Sequence, residues 1–160
     1  MNTAVLPEVG FDKVKFGMTR DEVIAAIGKP DEISENENYG DGELATIFYY
    51  DNPMISLSFD KEEGYRLVEI SFDDETFTLA DKIRVGMPIE EVLDIADTLG
   101  YGECYEEDLE DELDEEQKAS DLRLFVYEDK NLSLWSMSGR LSTIQIGPAF
   151  VDDDTIEWPG

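Results

Sequence analysis

The sequence contains no histidine and a single cysteine, Cys104, among its 160 residues. Without histidine the chain cannot build the imidazole-based dyads and triads that many hydrolases use. One cysteine excludes an intramolecular disulfide and a zinc site made of several thiolates. Acidic residues surround Cys104 in the sequence, and nearby carboxylates raise a thiol pKa, so we do not expect Cys104 to act as a nucleophile.

Basic residues are also scarce, because 12 Lys and Arg stand against 40 Asp and Glu and leave a formal net charge of −28. Such a charge repels nucleic acids and anionic membrane surfaces and attracts basic proteins. The functional interpretation is a basic protein partner, such as a toxin or an enzyme. Solubility alone, or a salt-adapted host, explains the same charge equally well, since net charge is informative about association and not about activity.

Long apolar runs are missing. No stretch approaches the roughly 20 apolar residues that a membrane-spanning helix needs, and the first residues lack the basic start and apolar core of a signal peptide. The sequence therefore predicts a cytoplasmic protein that does not enter membranes. The hydrophobic fraction of 41% nonetheless indicates a folded domain rather than a disordered chain.

Signatures of catalysis and of metal binding are absent from the sequence. There is no Walker A loop, no Rossmann glycine fingerprint and no nucleophile elbow. The acidic clusters 73–75 and 152–154 lack the spacing, the glycine and the final glutamate of an EF-hand loop. We therefore predict a protein that is not an enzyme and needs neither a cofactor nor a metal.

One helix motif occurs twice, as Phe16–Pro30 and as Val85–Gly100, at a spacing of 69 residues. In the first copy Thr19 is the predicted N-cap and Glu22 its capping-box partner, and in the second Pro88 stands at the predicted helix start. Each copy carries an apolar stripe at helical spacing, formed by Val23, Ile24 and Ile27 in the first and by Val92, Ile95, Ala96 and Leu99 in the second. Repetition on this scale predicts two copies of one supersecondary unit.

Three strand patterns follow each helix motif. They cover 45–50, 54–59 and 66–72 after the first helix. Segments 47–51 and 55–58 match 124–128 and 132–135 at a spacing of 77 residues, and 66–70 matches 140–144 at a spacing of 74. The larger spacing places an acidic insertion between the second helix and its first strand. We expect this insertion to be a solvated loop or a frayed helix, with an arm that contacts a basic surface as the alternative. The polar stretch 31–43 is predicted as a loop or a weak strand.

The repeat predicts an α+β fold of two tandem units, each a helix followed by an antiparallel β-meander, which together form one sheet with the helices on one face. The first unit covers residues 1–80. The second covers 81–160 and includes the acidic insertion near 103–119 and a C-terminal tail that packs back over an edge.

Alternation along each strand separates two faces of the predicted sheet. We expect the helices to cover a mainly aliphatic set, made of Ile47, Tyr49, Ile55, Leu57, Phe59, Leu124, Val126, Leu132 and Leu134. The predicted partner-binding set combines aromatics and serines, namely Phe48, Tyr50, Ser56, Ser58, Phe125, Tyr127, Ser133 and Trp135. The alternative is that the tail, the acidic insertion or a second core covers these aromatics.

The first motif, Phe16-Gly17-Met18-Thr19 with Glu22-Val23 and Ile27-Gly28-Lys29-Pro30, resembles the helix of the beta-lactamase inhibitory protein family and of the SmpA/OmlA outer-membrane assembly lipoproteins. The tandem arrangement is similar to the inhibitory family, which implies a concave sheet that grips a partner enzyme. That family is secreted and disulfide-bonded, and the lipoproteins carry a lipobox cysteine near their start, so this chain departs from both.

These observations lead to one functional hypothesis. The protein is a non-catalytic inhibitor or immunity-type protein that occludes a basic partner protein. One alternative is a structural domain of the envelope-assembly type, and another is a nucleic-acid mimic that occupies a DNA-binding protein.

Overall fold

The computed structural model describes residues 2–39, 43–109, 113–152 and 155–159, with the backbone alone for 36–39 and 43. Along these residues the helices are α1 (Arg20–Ile27), α2 (Ile89–Thr98) and α3 (Glu115–Ala119), and short 3-10 turns lie at Lys61–Glu63 and Glu128–Lys130. The strands, in chain order, are β1 (Ala4–Leu6), β2 (Gly10–Phe11), β3 (Val14–Lys15), β4 (Glu32–Tyr39), β5 (Glu43–Asp51), β6 (Met54–Asp60), β7 (Arg66–Phe72), β8 (Thr78–Leu79), β9 (Ile83–Arg84), β10 (Tyr105–Glu107), β11 (Arg123–Tyr127), β12 (Leu132–Met137), β13 (Arg140–Ile146), β14 (Ala149–Phe150) and β15 (Ile156–Glu157).

The main sheet has eight antiparallel strands in the order β10-β11-β12-β13-β7-β6-β5-β4. Strands β7 and β13 meet at its centre, where Ile70–Phe72 pairs with Ile144–Ile146. The strands that follow α1 therefore form one half of the sheet, and those that follow α2 form the other. The result is a strand-rich fold that mixes helices and strands, which is the coarse class that the sequence predicts.

A second sheet holds the short strands in the order β3-β2-β1-β8-β9. Its β1 and β8 are parallel, so the start of the chain lies beside the segment that joins the two halves. The rings of Phe11 and Phe72 meet edge to face with centroids 5.3 Å apart, which attaches this small sheet to the main one. The two predicted meanders do share the main sheet, but the fold is not a single sheet, because this small sheet and the pair of β14 and β15 are separate from it.

The two repeated helices begin where the sequence predicts. The Thr19 side chain accepts a hydrogen bond from the Glu22 amide, and the Glu22 carboxylate accepts one from the Thr19 amide, so the predicted capping box is confirmed. Pro88 is the N-cap residue of α2, whose Val92 and Ala96 are fully buried. Both helices therefore pack their apolar stripes against the hydrophobic core.

The hydrophobic core lies between one face of the main sheet, the two repeated helices and the small sheet. Its fully buried large side chains include Phe11, Phe48, Phe59, Phe72, Phe77, Tyr127, Leu57, Leu67, Ile70, Leu79, Ile83 and Leu132. At roughly 25 cal/mol per Å² of apolar area removed from water, this cluster is the dominant favourable contribution to folding.

Two turns before the helices make matching backbone hydrogen bonds. The Gly17 amide donates to the Leu67 carbonyl at 3.0 Å and the Leu67 amide donates to the Met18 carbonyl at 2.9 Å. In the other half the Gly86 amide donates to the Leu141 carbonyl at 2.8 Å, and the Leu141 amide donates to the Met87 carbonyl at 2.9 Å. Each turn therefore fastens its helix to the strand at the centre of the main sheet.

These two glycines offer a matched test of packing. Gly17 and Gly86 both have positive φ angles, of 94° and 100°, which disfavour any side chain. A Cβ at Gly86 would meet nothing within 4 Å, whereas one at Gly17 would lie 3.0 Å from the Trp158 ring. Alanine at Gly86 should cost about 1–2 kcal/mol of unfolding free energy from backbone strain alone, and alanine at Gly17 about 1–3 kcal/mol more from overpacking. Urea unfolding measures both costs, and equal values would contradict the Trp158 contact.

Two segments contain more regular structure than their predictions require. The polar stretch predicted as a loop or weak strand forms the eight-residue edge strand β4, and its residues 40–42 lie outside the described residues. The acidic insertion contributes β10, the other edge strand, and the exposed helix α3 with an Asp114 and Gln117 capping box. Residues 110–112 of this insertion are likewise outside the described part of the chain.

The C-terminal tail packs against residues of the first half of the chain. Trp158 lies on Gly17, and the guanidinium of Arg66 stands 5.7 Å from the centre of the Trp158 ring. Residues 153 and 154 of the acidic cluster in this tail lie outside the described residues.

Candidate functional site

The candidate site is the face of the main sheet that points away from the core, called the open face below. One row of paired residues crosses all eight strands of this face. The row runs through Glu32, Tyr49, Ser56, Ser71, Gln145, Ser133, Val126 and Tyr105. Every one of these side chains is half-buried or exposed. The open face therefore presents a continuous surface made by both halves of the chain.

Two shorter rows flank this central row. Ser34, Ile47, Ser58 and Glu69 lie on one side of it, and Glu107, Leu124, Trp135 and Thr143 lie on the other. Ser58 is the one buried member, at 7% exposure. The surface is thus a serine-rich centre with apolar side chains toward both ends.

The prediction that eight aromatic and serine residues share one surface is wrong. Phe48, Phe125 and Tyr127 belong to the core, with exposures of 2%, 5% and 0%. Tyr50 lies on the same core-facing side, and its hydroxyl donates a hydrogen bond to the Gly28 carbonyl at 2.8 Å. The remaining four residues, Ser56, Ser58, Ser133 and Trp135, lie on the open face.

The physical reason is the length of the hairpin connection. A two-residue turn pairs Asp51 with Met54, so Tyr50 stands opposite Ile55 and Phe48 opposite Leu57. Directly paired residues share a face, which means that even-numbered residues of β5 belong with odd-numbered residues of β6. Residues of equal parity, which the predicted sets place together, therefore lie on opposite faces of these neighbouring strands.

The predicted core set separates in the same way. Five of its members are buried as predicted, namely Ile55, Leu57, Phe59, Leu132 and Leu134. The other four lie half-buried on the open face, and they are Ile47, Tyr49, Leu124 and Val126. The apolar part of the candidate surface therefore comes from residues that the sequence assigned to the interior.

Trp135 is held in place on the open face. Its indole Nε1 donates a hydrogen bond to Gln145 Oε1 at 2.8 Å. The backbone carbonyl of Trp135 accepts a hydrogen bond from Ser142 Oγ at 3.1 Å, beside a β-bulge between Trp135 and Ser136. These contacts fix the orientation of the largest aromatic ring on this face.

An aspartate lies close to this tryptophan. Asp73 Oδ1 accepts a hydrogen bond from Thr143 Oγ1 at 2.5 Å, and Thr143 is the cross-strand neighbour of Trp135. Burial raises the pKa of Asp73, and the Thr143 hydrogen bond opposes that shift. Asp73 and Trp135 line a shallow depression of about 540 Å³ on the open face.

A second carboxyl group is half-buried on the other side of the central row. Glu69 stands opposite Ser58, and burial raises the pKa of Glu69 from 4.5 to about 7. No charged group contributes to that shift. The folded protein therefore keeps a proton on Glu69 at a pH where an unfolded chain has released it.

This pKa gives a signed prediction for stability. Because the folded-state pKa lies above the unfolded one, the protonated Glu69 contributes its stability in full below pH 4.5, and that contribution is lost as the pH rises through about 7. Glu69→Gln mimics the protonated form. The variant should match wild type near pH 4.5 and exceed it by about 1–3 kcal/mol at pH 8. Urea unfolding across this range measures the difference, with the exposed Glu107→Gln as the control of equal charge change. A difference that is independent of pH would contradict the prediction.

Acidic residues lie on the open face at Glu32, Glu69, Asp73 and Glu107, and Glu69 keeps its proton up to about pH 7. The eight strands contain three basic residues, Arg66, Arg123 and Arg140, and each is the first residue of its strand. Arg123 is already paired with Glu106 at 2.8 Å. The open face therefore carries carboxyl groups, and no lysine or arginine lies inside its strands.

Cys104 is exposed and unsuited to nucleophilic chemistry. Partial shielding of the thiol from solvent raises its pKa, and the nearby carboxylates of Asp97 and Glu106 raise it further. Within the described ranges, no group of three or more acidic or cysteine side chains could hold a metal ion. The longest helix there has 10 residues, and none is long and apolar enough to cross a membrane.

Comparisons with known proteins give one structural likeness. No protein-family model and no curated protein matches the chain. The fold is similar to the crystal structure of an extracellular protein containing a SCP domain from Bacillus anthracis str. Ames, with a TM-score of 0.50 and 13% sequence identity. The match covers 83% of this chain and 44% of that one, so this chain spans less than half of that protein. The likeness concerns the fold alone.

Proposed function

We propose that the protein is a non-catalytic, acidic protein-binding module whose open face holds a basic partner protein and occludes it, as an inhibitor or an immunity protein does. The observation that carries the proposal is the open face itself. A row of paired side chains crosses all eight strands of the main sheet, and its members are half-buried or exposed. Occlusion requires a complementary surface and no chemical step.

Charge supports a basic partner. The chain carries a net charge of −28, and the open face carries acidic residues while no lysine or arginine lies inside its strands. Long-range attraction to a basic surface would speed the encounter, and this effect weakens as salt is added. Repulsion would exclude nucleic acids from the same surface.

Apolar side chains toward both ends of the open face support tight contact after the encounter. Ile47 and Tyr49 lie toward one end, Leu124 and Val126 lie toward the other, and Trp135 lies one strand nearer the centre. Aromatic residues that lose water at the centre of an interface dominate the binding energy of many complexes. The serines between them offer small hydroxyl groups that can hydrogen-bond to a partner.

We also propose that the chain is a tandem duplication of one helix-and-meander module, with units at 1–80 and 81–160. The hydrogen bonds of Gly17 and Leu67 recur at Gly86 and Leu141. The β-bulge between Ser58 and Phe59 recurs between Trp135 and Ser136 in β12. The resemblance to the beta-lactamase inhibitory protein family agrees with this proposal, because that family implies paired units whose sheet grips a partner.

Capture from an extract of the native host tests the function. The full chain is immobilised as wild type, as the open-face double variant Tyr49→Ser/Trp135→Ser, and as the control Leu6→Ser. Leu6 is 45% exposed and lies in the small sheet. We expect a basic protein to bind the wild type and the control, to be lost from the double variant, and to bind more slowly at high salt.

Equal retention by the double variant would contradict the proposal. Recovery of envelope components would favour the assembly-type alternative. Displacement of the captured protein by duplex DNA would favour a nucleic-acid mimic.

A further inference from the structure

The depression beside Trp135 is a distinct feature at the middle of the open face. It lies where the two halves of the main sheet meet, because Ser71 and Gln145 are paired neighbours across β7 and β13 and both line it. Two exposed methionines, Met54 and Met137, also line it, at 50% and 44% exposure. Exposed, flexible thioether side chains are well suited to adapt around an inserted group.

The walls of the depression carry one aromatic ring and one carboxylate. The Trp135 ring is held by its hydrogen bond to Gln145 at 2.8 Å, so it is already oriented before any ligand binds. Asp73 accepts a hydrogen bond from Thr143 on the neighbouring strand, and the two ion pairs found among the described residues, Arg123–Glu106 and Lys130–Glu8, do not involve it. A half-buried carboxylate beside a tryptophan therefore lacks a cationic partner within the described part of the chain.

We propose that this depression binds a single arginine side chain of the basic partner, whose guanidinium stacks on the Trp135 ring and pairs with the Asp73 carboxylate. The inference rests on the proposed function and names the group that the partner inserts.

Arginine fits the two walls better than lysine does. A guanidinium is planar, so it stacks on an indole face, and its fork of N–H groups matches the geometry of a carboxylate. A lysine ammonium is a more strongly hydrated point charge that cannot do both in the same way. The pairing also returns a counter-charge to Asp73, whose pKa burial has raised.

The other half of the sheet does not repeat this arrangement. The residue that stands in the place of Trp135 is Ser58, and the one in the place of Thr143 is Glu69, by their matching positions in the two flanking rows. Ser58 is buried and has no ring on which a guanidinium could stack. The open face therefore has one such site, and each molecule of this protein binds one arginine side chain of the partner there.

A small cation tests the site without the partner. Ethylguanidinium and ethylammonium are titrated at constant ionic strength into the full chain labelled with ¹⁵N, and the indole N–H signals are followed by NMR. A Trp158→Phe variant assigns the Trp135 signal, since the chain has two tryptophans. We expect a saturable shift of the Trp135 signal with ethylguanidinium, and binding of ethylammonium at least 3-fold weaker.

Two variants of equal charge change give the control. Asp73→Asn should weaken ethylguanidinium binding at least 5-fold, whereas Glu107→Gln, also on the open face, should change it less than 2-fold. A Trp135 shift that does not saturate, or equal weakening by the two variants, would overturn the site.

The capture experiment keeps this inference separate from the proposed function. If the partner is lost from the open-face double variant but bound by Asp73→Asn with wild-type affinity, the arginine site is wrong and the function stands. If ethylguanidinium binds as expected but the double variant retains the partner, the proposed function is wrong: the depression binds a guanidinium group, but that group is not an arginine of the partner.

Discussion

Replacement of Trp135 by alanine is expected to weaken the complex with the purified basic partner by about 30-fold or more, while the melting temperature stays within about 2 °C of wild type. Truncation of a central aromatic residue typically costs roughly 2 kcal/mol of binding free energy or more. Folding should survive because Trp135 is half-buried on the open face and its main polar contact, Gln145, can bond to water instead.

Trp158 provides the matched control, because it is the other tryptophan of the chain and lies in the tail on Gly17. Trp158→Ala should lower the melting temperature and leave the affinity within 3-fold of wild type. Calorimetric titration with the purified partner measures both affinities. If the Trp135→Ala variant binds the partner like wild type, the open face is not part of the interface.

Tyr127→Ala is expected to lower the unfolding free energy by about 3–5 kcal/mol, because it removes a fully buried ring from the core. The Tyr127 ring lies 6.0 Å from that of Tyr101, and truncation would leave a cavity between β11 and the segment that follows α2. Urea unfolding measures the loss. The sequence assigned Tyr127 to the binding surface, so this variant distinguishes the two assignments.

Tyr127→Phe is the conservative control. No hydrogen bond of normal geometry reaches the buried Tyr127 hydroxyl within the described residues, although the Cys104 thiol is close enough to help raise its pKa. Removal of an unsatisfied buried hydroxyl should change stability by no more than about 1 kcal/mol and can increase it. A stable Tyr127→Ala variant that fails to bind the partner would show that the ring belongs to the interface.

Several elements were predictable because local signals decide them. The capping box at Thr19 and the glycine after Ile27 bound α1, and strand β7 spans Arg66–Phe72 as its pattern predicts. In α1 a side chain of the same segment accepts a hydrogen bond from a free backbone amide. In β7 the alternation of apolar and polar residues is enough to indicate a strand without knowledge of its partners.

Other features depend on distant partners. Strand β4 is mostly polar and becomes a strand because it pairs with β5. The strands of the small sheet have two or three residues each, too few for any periodic signal, and β1 finds its parallel neighbour β8 more than 70 residues away. Such pairing is set by tertiary contacts rather than by intrinsic preference.

The candidate site was only partly predictable. Trp135, Ser56 and Ser133 were correctly placed on a shared surface, but the parity of Tyr49 and Val126 depended on turn lengths that the alternation pattern does not contain. The pairing of Asp51 with Met54 across Asn52-Pro53 was the available signal, since a two-residue turn reverses parity between strands. The sequence shows Asp73 only as part of an acidic cluster. Its hydrogen bond to Thr143 is not predictable from the sequence, because Thr143 lies 70 residues away.

Hydroxyl-radical footprinting of the full chain, alone and with the basic protein that co-purifies with it, tests most directly whether the open face is the binding surface. The two states are compared by the oxidation of Tyr49, Trp135 and Met137 on the open face and of Trp158 in the tail. We predict that the partner protects the first three and leaves Trp158 unchanged. If the partner instead protects Trp158 and leaves Tyr49 and Trp135 oxidised as in the free protein, the open face is not the binding surface.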